Sequence, residues 1–295
     1  MSHRARAWRG TLWILGVSLF ASRVPAQQLP ARIESISAGL LGRPYQLDPL
    51  GEGEQGRIDR DPLIRFDVFD CLTYVETVLA MARARDATDI ATQLSKIRYR
   101  DAVIGYATRN HFPEADWLPA NIAQHVVVDI TAQVAAQSGV ALSVAAGTID
   151  RRSWLLQLPS NPLQASNPLL APGGTGHAEI LALAAAAVST AISIRYVRLR
   201  EAPQSALQRL AAQLPNAAIV FIVRPNTSML GQVGSNTLLS HVGFVIQRPG
   251  VTLYRSASSG RAHAVIDQSL VKYLQRAQRS RSFAGILIVK AESLP

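Results

Sequence analysis

The chain has 295 residues, of which 48% are hydrophobic and 17% are charged. This composition supplies enough apolar surface for a folded core and excludes a mainly disordered protein. Because the chain contains a single cysteine, an internal disulfide framework and a cysteine-rich zinc or iron–sulfur site are also excluded.

The N-terminus has the pattern of a secretory signal peptide. Arginines precede an apolar stretch at 11–21, which is followed by the small residues of Val24-Pro25-Ala26. The stretch is shorter than the roughly 18–20 residues that a membrane-spanning helix needs. We therefore expect residues 1–26 to be cleaved after Ala26, which gives a periplasmic or secreted protein with no stable membrane insertion.

The mature chain, 27–295, stays basic. Removing the four arginines of the signal peptide lowers the formal net charge from +10 to +6. This surplus is typical of a solvated basic surface, or of a site for an anionic polymer or a carboxylate-bearing peptide. No aromatic residues alternate with a Lys/Arg stripe, so we expect no nucleic-acid partner.

Residues 27–66 are rich in proline and glycine and predict loops and short helical pieces. Gly51, Gly53 and Gly56 match the spacing of a dinucleotide-binding loop. We reject that interpretation because no strand precedes the glycines, Pro62 interrupts the helix that should follow, and neighbouring glutamates would repel a pyrophosphate.

The next part of the chain predicts helices. Apolar residues recur on one helical face from Asp70 to about Arg85, with Asp70 in the N-cap position. Further helices are predicted at 88–97 and 121–138, and an alanine-rich helix after 178 precedes a strand at 191–199. Residues 159–176 predict a surface loop, and we assign about 159–199 to an insertion.

The last third predicts strands at 217–223, 241–247, 251–256 and 285–289, with Pro249-Gly250 as the turn of a hairpin. Helices thus come first and the sheet later. This order predicts an α+β fold with helices packed on an antiparallel sheet, within a single catalytic domain.

Cys71 is the candidate nucleophile because it begins the predicted helix that Asp70 caps. Backbone N–H groups and the helix dipole at that position favour the thiolate and should lower the thiol pKa. The alternative is that Cys71 is a packing residue, since lone cysteines are commonly buried.

His241 is the candidate base because it lies on a predicted strand, where a rigid backbone would fix the imidazole. A four-residue hairpin loop places Ser256 opposite His241, and a two-residue loop places Ser258 there, so a serine hydroxyl would orient the ring in either case. The alternative is an exposed histidine at the end of a strand.

Three separated motifs resemble the NlpC-type cell-wall hydrolases, in the N-acetylmuramoyl-L-alanine amidase-like branch. They are the run from Phe69 to Glu76 around the cysteine, the segments 97–100 and 109–117, and the run 240–245 with the serines at 256–259. The resemblance implies a papain-like fold in which Cys71 attacks an amide of peptidoglycan and His241 acts as base and then as acid. The third catalytic position, often histidine in such enzymes, is Ser256 here.

The resemblance also implies residues that bind substrate. Tyr45 resembles a tyrosine that shapes the oxyanion region, and the branch signature supplies Arg109, His111, Asp116, Trp117 and Asn121. The alternative for the signature is a polar loop held in place by a buried Trp117.

These observations predict an exported cysteine amidase acting on peptidoglycan or muropeptides, at the bond between N-acetylmuramic acid and L-alanine, through a thioester. The alternatives are a γ-D-glutamyl-diamino acid endopeptidase and a non-catalytic cell-wall binding module. We expect no cofactor and no metal, since the chain has no His-Glu-x-x-His segment. The sequence leaves the oligomeric state open.

Overall fold

The structure, a computed structural model, describes residues 28–160, 167–225 and 237–293. The predicted signal peptide and its cleavage site after Ala26 lie outside the described residues. Within those three ranges, no helix has the length and hydropathy required to cross a bilayer.

The described α-helices differ in length from one to more than three turns. They are α1 (Leu29–Gly39), α2 (Cys71–Arg83), α3 (Ile90–Arg98), α4 (Leu118–Ala123), α5 (Thr131–Ser138), α6 (Arg151–Gln157), α7 (Thr175–Ala186), α8 (Gln204–Gln213) and α9 (Leu270–Ala277). A π-helical turn, Pro113–Trp117, runs directly into α4.

The strands form a single antiparallel sheet within the described residues. They are β1 (Val127–Asp129), β2 (Leu142–Ile149), β3 (Thr190–Arg198), β4 (Ile219–Val223), β5 (Leu239–Arg248), β6 (Val251–Ser258), β7 (Ala264–Ser269) and β8 (Gly285–Ala291). The strand order is β2-β3-β8-β4-β5-β6-β7, and β1 also pairs with β8. The expected α+β fold with helices on an antiparallel sheet is confirmed.

Buried apolar side chains form two clusters, one on each face of the sheet. The larger cluster joins α1, α2 and α3 to one face, with residues such as Val78 and Phe244. The smaller cluster joins α5, α8 and α9 to the other face, with residues such as Leu207, Leu274 and Ile288. The central strand β4 is buried over its whole length, so the ends of its neighbours are held rigidly.

Helix α2 begins where its apolar spacing and its cap predict. The carboxylate of Asp70 accepts a hydrogen bond from the backbone N–H of Thr73 at 2.7 Å, and the Thr73 hydroxyl accepts one from the backbone N–H of Asp70 at 3.0 Å. This reciprocal capping box fixes the first turn of the helix. Cys71 is therefore held in place by backbone geometry as well as by packing.

The continuous helix predicted at 121–138 is wrong. The chain leaves α4 at Ala123, passes through His125 with a φ of 53°, and forms β1 before α5 starts. The N–H of Val126 bonds the carbonyl of Asn121 at 2.8 Å and closes this turn. Pairing of β1 with β8 overrides a local sequence that suits a helix.

The region assigned to an insertion takes part in the sheet. Its strand β3 pairs with β2 along eight residues and also with β8. Helices α6 and α7 pack against each other next to this strand pair. Residues 161–166 of the predicted surface loop lie outside the described residues.

Candidate active site

Cys71 is half-buried and lines a pocket of about 460 Å³ between α2, the start of β5 and α6. The backbone N–H of Val242, the residue after His241, donates a hydrogen bond toward the sulfur. His241 lines the same pocket. The two residues selected from the sequence as nucleophile and base therefore meet at one opening.

Burial raises the pKa of the Cys71 thiol to about 12, and the carboxyl group of Asp70 adds to the rise. The backbone N–H groups of Val242, Cys71 and Leu72 act in the opposite direction, but their effect is smaller than that of burial. This differs from the lowered pKa expected from the helix terminus. In the resting pocket the thiol is protonated at neutral pH.

His241 is fixed on β5 by a side chain of the neighbouring strand. Its Nε2 atom lies 3.0 Å from Oγ of Ser256, which is itself fully buried. Phe244 pairs with Arg255 and Arg248 with Val251, so the hairpin has the two-residue connection. In that register Ser256 is the diagonal neighbour of His241, and its side chain reaches the ring.

Gly243 makes this approach possible. A Cβ atom at Gly243 would lie 2.7 Å from Cβ of Ser256 and 2.6 Å from the carbonyl oxygen of Arg255. Real Cβ atoms do not approach other heavy atoms so closely. The absence of a side chain leaves the space in which His241 and Ser256 meet.

Burial, together with the charge of Arg224, lowers the pKa of His241 to about 4. The imidazole is therefore neutral at pH 7 and able to accept a proton. The rings of Tyr254 and Tyr273 lie 5.8 and 6.2 Å from the His241 ring, measured between centroids. They exclude water from one side of it.

Tyr45 also lines the pocket. Its backbone bridges to Phe69, just before the nucleophile, and its hydroxyl is hydrogen-bonded to Ser259. Burial raises the pKa of Tyr45, and the negative charge of the Cys71 thiolate would raise it further. The Tyr45 hydroxyl thus remains protonated beside the nucleophile.

Arg109 and His111 form part of the opposite wall of the pocket. The Arg109 guanidinium makes ion pairs with Asp48 at 2.5 Å and Asp59 at 2.9 Å. Nε2 of His111 lies 2.8 Å from the carbonyl oxygen of Tyr106, and burial lowers the pKa of His111 to about 3. His111 is thus a neutral ring held in the wall.

Asp116, Trp117 and Asn121 do not line the pocket, which differs from the binding role expected for them. Asp116 pairs with Arg151 at 2.6 Å, and Trp117 is fully buried against Phe221. The amide of Asn121 donates to the carbonyl of Trp117 at 2.9 Å. These three residues therefore lie behind the pocket wall.

The pocket residues that sequence reasoning did not select include Glu76, Arg98 and Trp154. Glu76 and Arg98 are 2% exposed and lie 3.7 Å apart, and burial raises the pKa of Glu76 to about 7. Trp154, on α6, stacks with Tyr106 at 6.0 Å. Glu76 follows Cys71 by five residues on α2 and could have been found by helical geometry, whereas nothing local marked Trp154.

No group of three or more His, Cys, Asp or Glu side chains in the described ranges has the arrangement of a metal site. What the pocket holds is a thiol, a neutral imidazole, a tyrosine hydroxyl and a wall of aromatic and charged side chains. This set suits nucleophilic attack on a polar ligand.

Comparison with known proteins identifies the family of the chain. A family model described as AmiA-like, N-acetylmuramoyl-L-alanine amidase-like, matches residues 35–283. The chain belongs to this family. No curated protein matches the sequence at a significant level.

Two solved structures resemble the chain in fold at different levels of sequence identity. A Legionella pneumophila protein of the family DUF1460 is 29% identical, with 90% of this chain and 89% of that chain covered and a TM-score of 0.79. An N-acetylmuramoyl-L-alanine amidase from Bacteroides uniformis is 21% identical, with 90% and 100% covered and a TM-score of 0.61. At 21% identity, the similarity to the Bacteroides uniformis structure concerns the fold alone.

Proposed function

We propose that this amidase-like protein is an exported cysteine amidase of the NlpC type, with a papain-like catalytic core. Its substrate would be peptidoglycan or a muropeptide, cut between the lactyl group of N-acetylmuramic acid and L-alanine. The observation that carries the proposal is the meeting of Cys71 and His241 at one pocket, with the imidazole 3.0 Å from Ser256. The family match and the name of the Bacteroides uniformis structure support the choice of bond.

The chemistry would start from a neutral pair, because burial keeps the Cys71 thiol protonated and the His241 imidazole unprotonated. His241 accepts the thiol proton as sulfur attacks the lactyl carbonyl carbon, and the carbonyl oxygen becomes an oxyanion. Backbone N–H groups at the start of α2 and the Tyr45 hydroxyl would stabilise that charge.

Collapse of this intermediate breaks the C–N bond. The imidazolium of His241 gives its proton to the leaving nitrogen, so the peptide departs with a free L-alanine amine, and the lactyl group remains on Cys71 as a thioester. A water molecule, deprotonated by His241, then hydrolyses the thioester and regenerates the thiol. Ser256 would keep the ring oriented through both proton transfers.

The decisive experiment is mass spectrometry of defined muropeptides after incubation with the mature protein. The proposal expects one fragment that ends in intact N-acetylmuramic acid and one peptide that begins with L-alanine. Fragments cut after D-glutamate would assign an endopeptidase instead, and intact muropeptides would assign a binding module.

The matched variants are Cys71→Ala and His241→Ala, which should each lower turnover by at least about 1,000-fold, since each removes a reacting group. Ser258→Ala is the control, because this serine lies on the same strand as Ser256 and its hydroxyl accepts a hydrogen bond from the backbone N–H of Gly260 at 3.2 Å. Its turnover should match that of the unmodified protein.

A further inference from the structure

Charge is distributed unequally on the two sides of the catalytic pair. On the side away from His241, both buried arginines face acids. Arg109 contacts Asp48 and Asp59, and Arg98 lies 3.7 Å from Glu76. Each arginine of this wall therefore has an acidic side chain beside it.

Beyond His241, next to the residues that line the pocket but not among them, several arginines lack acidic partners within the described residues. Arg224 follows β4, and its backbone N–H bonds the carbonyl of Leu238 beside the start of β5 at 2.8 Å. Its guanidinium donates to Oγ of Ser282 at 3.0 Å and lies 5.9 Å from the centre of the Phe283 ring. Across the described ranges, Arg224 makes no ion pair with a carboxylate.

Further cations continue this side of the molecule. Arg276 lies one turn beyond Tyr273 on α9, and the Tyr273 ring is 6.2 Å from the ring of His241. Arg279 and Arg281 follow in the exposed turn that leads to Ser282. We name Arg224, Arg276, Arg279 and Arg281 the cationic edge.

Two members of the cationic edge, Arg224 and Arg276, are held by contacts within the chain. Ser282 and Phe283 hold the Arg224 guanidinium, and Gln268 accepts a hydrogen bond from Arg276. The charge of Arg224 acts on His241 strongly enough to lower its pKa. A preorganised guanidinium beside a base suits a carboxylate ligand, which it can bind through two parallel hydrogen bonds.

We propose that the cationic edge binds a carboxylate of the leaving peptide and that Arg224 is a specificity-determining residue for it. This inference rests on the proposed function. In a muropeptide the residue after L-alanine is D-glutamate linked through its γ-carboxyl group, so its α-carboxylate is free. The peptide would lie on the side of His241, and the sugar on the side of Trp154.

The test compares two substrates that differ in one group. They are N-acetylmuramoyl-L-alanyl-D-glutamate and its D-isoglutamine counterpart, in which the α-carboxylate is an amide. The unmodified protein should cleave the acid with a kcat/KM about tenfold higher, as expected for one charge-assisted hydrogen-bonded pair. Arg224→Gln should abolish this preference mainly through KM for the acid, and Arg224→Lys should restore part of it.

Arg209→Gln is the matched control, because Arg209 is an exposed arginine on α8. It should keep the full preference for the acid. If Arg224→Gln cleaves both substrates with the unmodified ratio, or if the unmodified protein prefers the amide, the inference is wrong although the amidase activity stands.

Binding to Cys71→Ala, measured by calorimetry, separates this inference from the proposed function. Tighter binding of the acid than of the amide, lost when Arg224→Gln is added, would support the cationic edge even if no substrate were cleaved. Equal binding of the two ligands by Cys71→Ala would overturn it.

Discussion

Nε2 of His241 and Oγ of Ser256 lie 3.0 Å apart on residues that are diagonal neighbours across the β5–β6 hairpin. A diagonal contact of this kind needs a gap between the two side chains, and Gly243 supplies it. The orientation of the proposed base therefore depends on the hydroxyl group of Ser256 and on the absence of a side chain at Gly243.

Ser256→Ala removes the hydroxyl group that holds the imidazole while leaving the ring in place. We expect kcat to fall about tenfold to a hundredfold, with little change in KM, because the ring would sample unproductive orientations. Steady-state kinetics and the pH profile check this. Unchanged kcat would show that packing against Tyr254 and Tyr273 is sufficient to orient His241.

Gly243→Ala should both destabilise the hairpin and disturb the site. The new methyl group would contact the carbonyl of Arg255 and the Cβ of Ser256, so we expect a loss of about 1–3 kcal/mol in the free energy of unfolding and a lower kcat. Gly39→Ala is the control, since a Cβ there meets no heavy atom within 4 Å. Urea unfolding should give a lower free energy of unfolding for Gly243→Ala than for Gly39→Ala.

The pH dependence follows from the two pKa shifts. His241 is the neutral base above its lowered pKa of about 4, so kcat/KM should persist at pH 6 and decline as the pH falls through about 4. Because burial raises the pKa of Cys71 to about 12, iodoacetamide should alkylate it slowly at pH 7 and faster as the pH rises. Rapid alkylation below pH 6 would instead reveal a preformed thiolate–imidazolium pair.

Stability should depend on pH through Glu52, whose side chain is 4% exposed and whose pKa burial raises from 4.5 to about 7. Between these values the folded chain holds a proton that the unfolded chain releases, so this residue lowers stability as the pH rises from about 4.5 to 7. Glu52→Gln should remove that dependence.

At pH 8 the Glu52→Gln variant should be more stable by about 1–3 kcal/mol, and at pH 4 the difference should be small. Thermal unfolding at both pH values measures this. Glu54→Gln, at an exposed position two residues away, should behave like the unmodified protein. A Glu52→Gln variant that loses stability at pH 8 would show that the ion pair of Glu52 with Arg109, 4.0 Å away, outweighs the cost of burial.

The part of the site carried by regular elements was predictable from the sequence. Helical spacing and a capping residue placed Cys71 at the start of α2, and strand alternation with Pro249-Gly250 placed His241 on the hairpin. Each of these features depends on neighbours in sequence. The two-residue turn places Ser258 directly opposite His241. The residue that holds the ring is instead its diagonal neighbour Ser256, and this contact became known only from the structure.

The pocket wall was not predictable, because it depends on contacts between distant segments. Trp154 reaches the pocket because α6 packs on α7 and because Arg151 ties α6 to Thr190 of β3 and to Asp116. The same long-range packing buries Trp117 and Asn121. From the sequence alone, these two residues cannot be distinguished from polar and aromatic residues that line the pocket. The break of the 121–138 helix likewise came from the pairing of β1 with β8.

Trp154→Ala should test whether α6 contributes to substrate binding. The indole lies 4.7 Å from the ring of His111 and 5.0 Å from that of Phe112, measured between centroids, and it faces the pocket. Aromatic walls bind the apolar faces of sugars, so its loss should raise KM about tenfold and change kcat less. Leu156→Ala, at a position 47% exposed on the same helix, is the control. A Trp154→Ala variant that is folded by circular dichroism and has an unchanged KM would place the sugar elsewhere in the pocket.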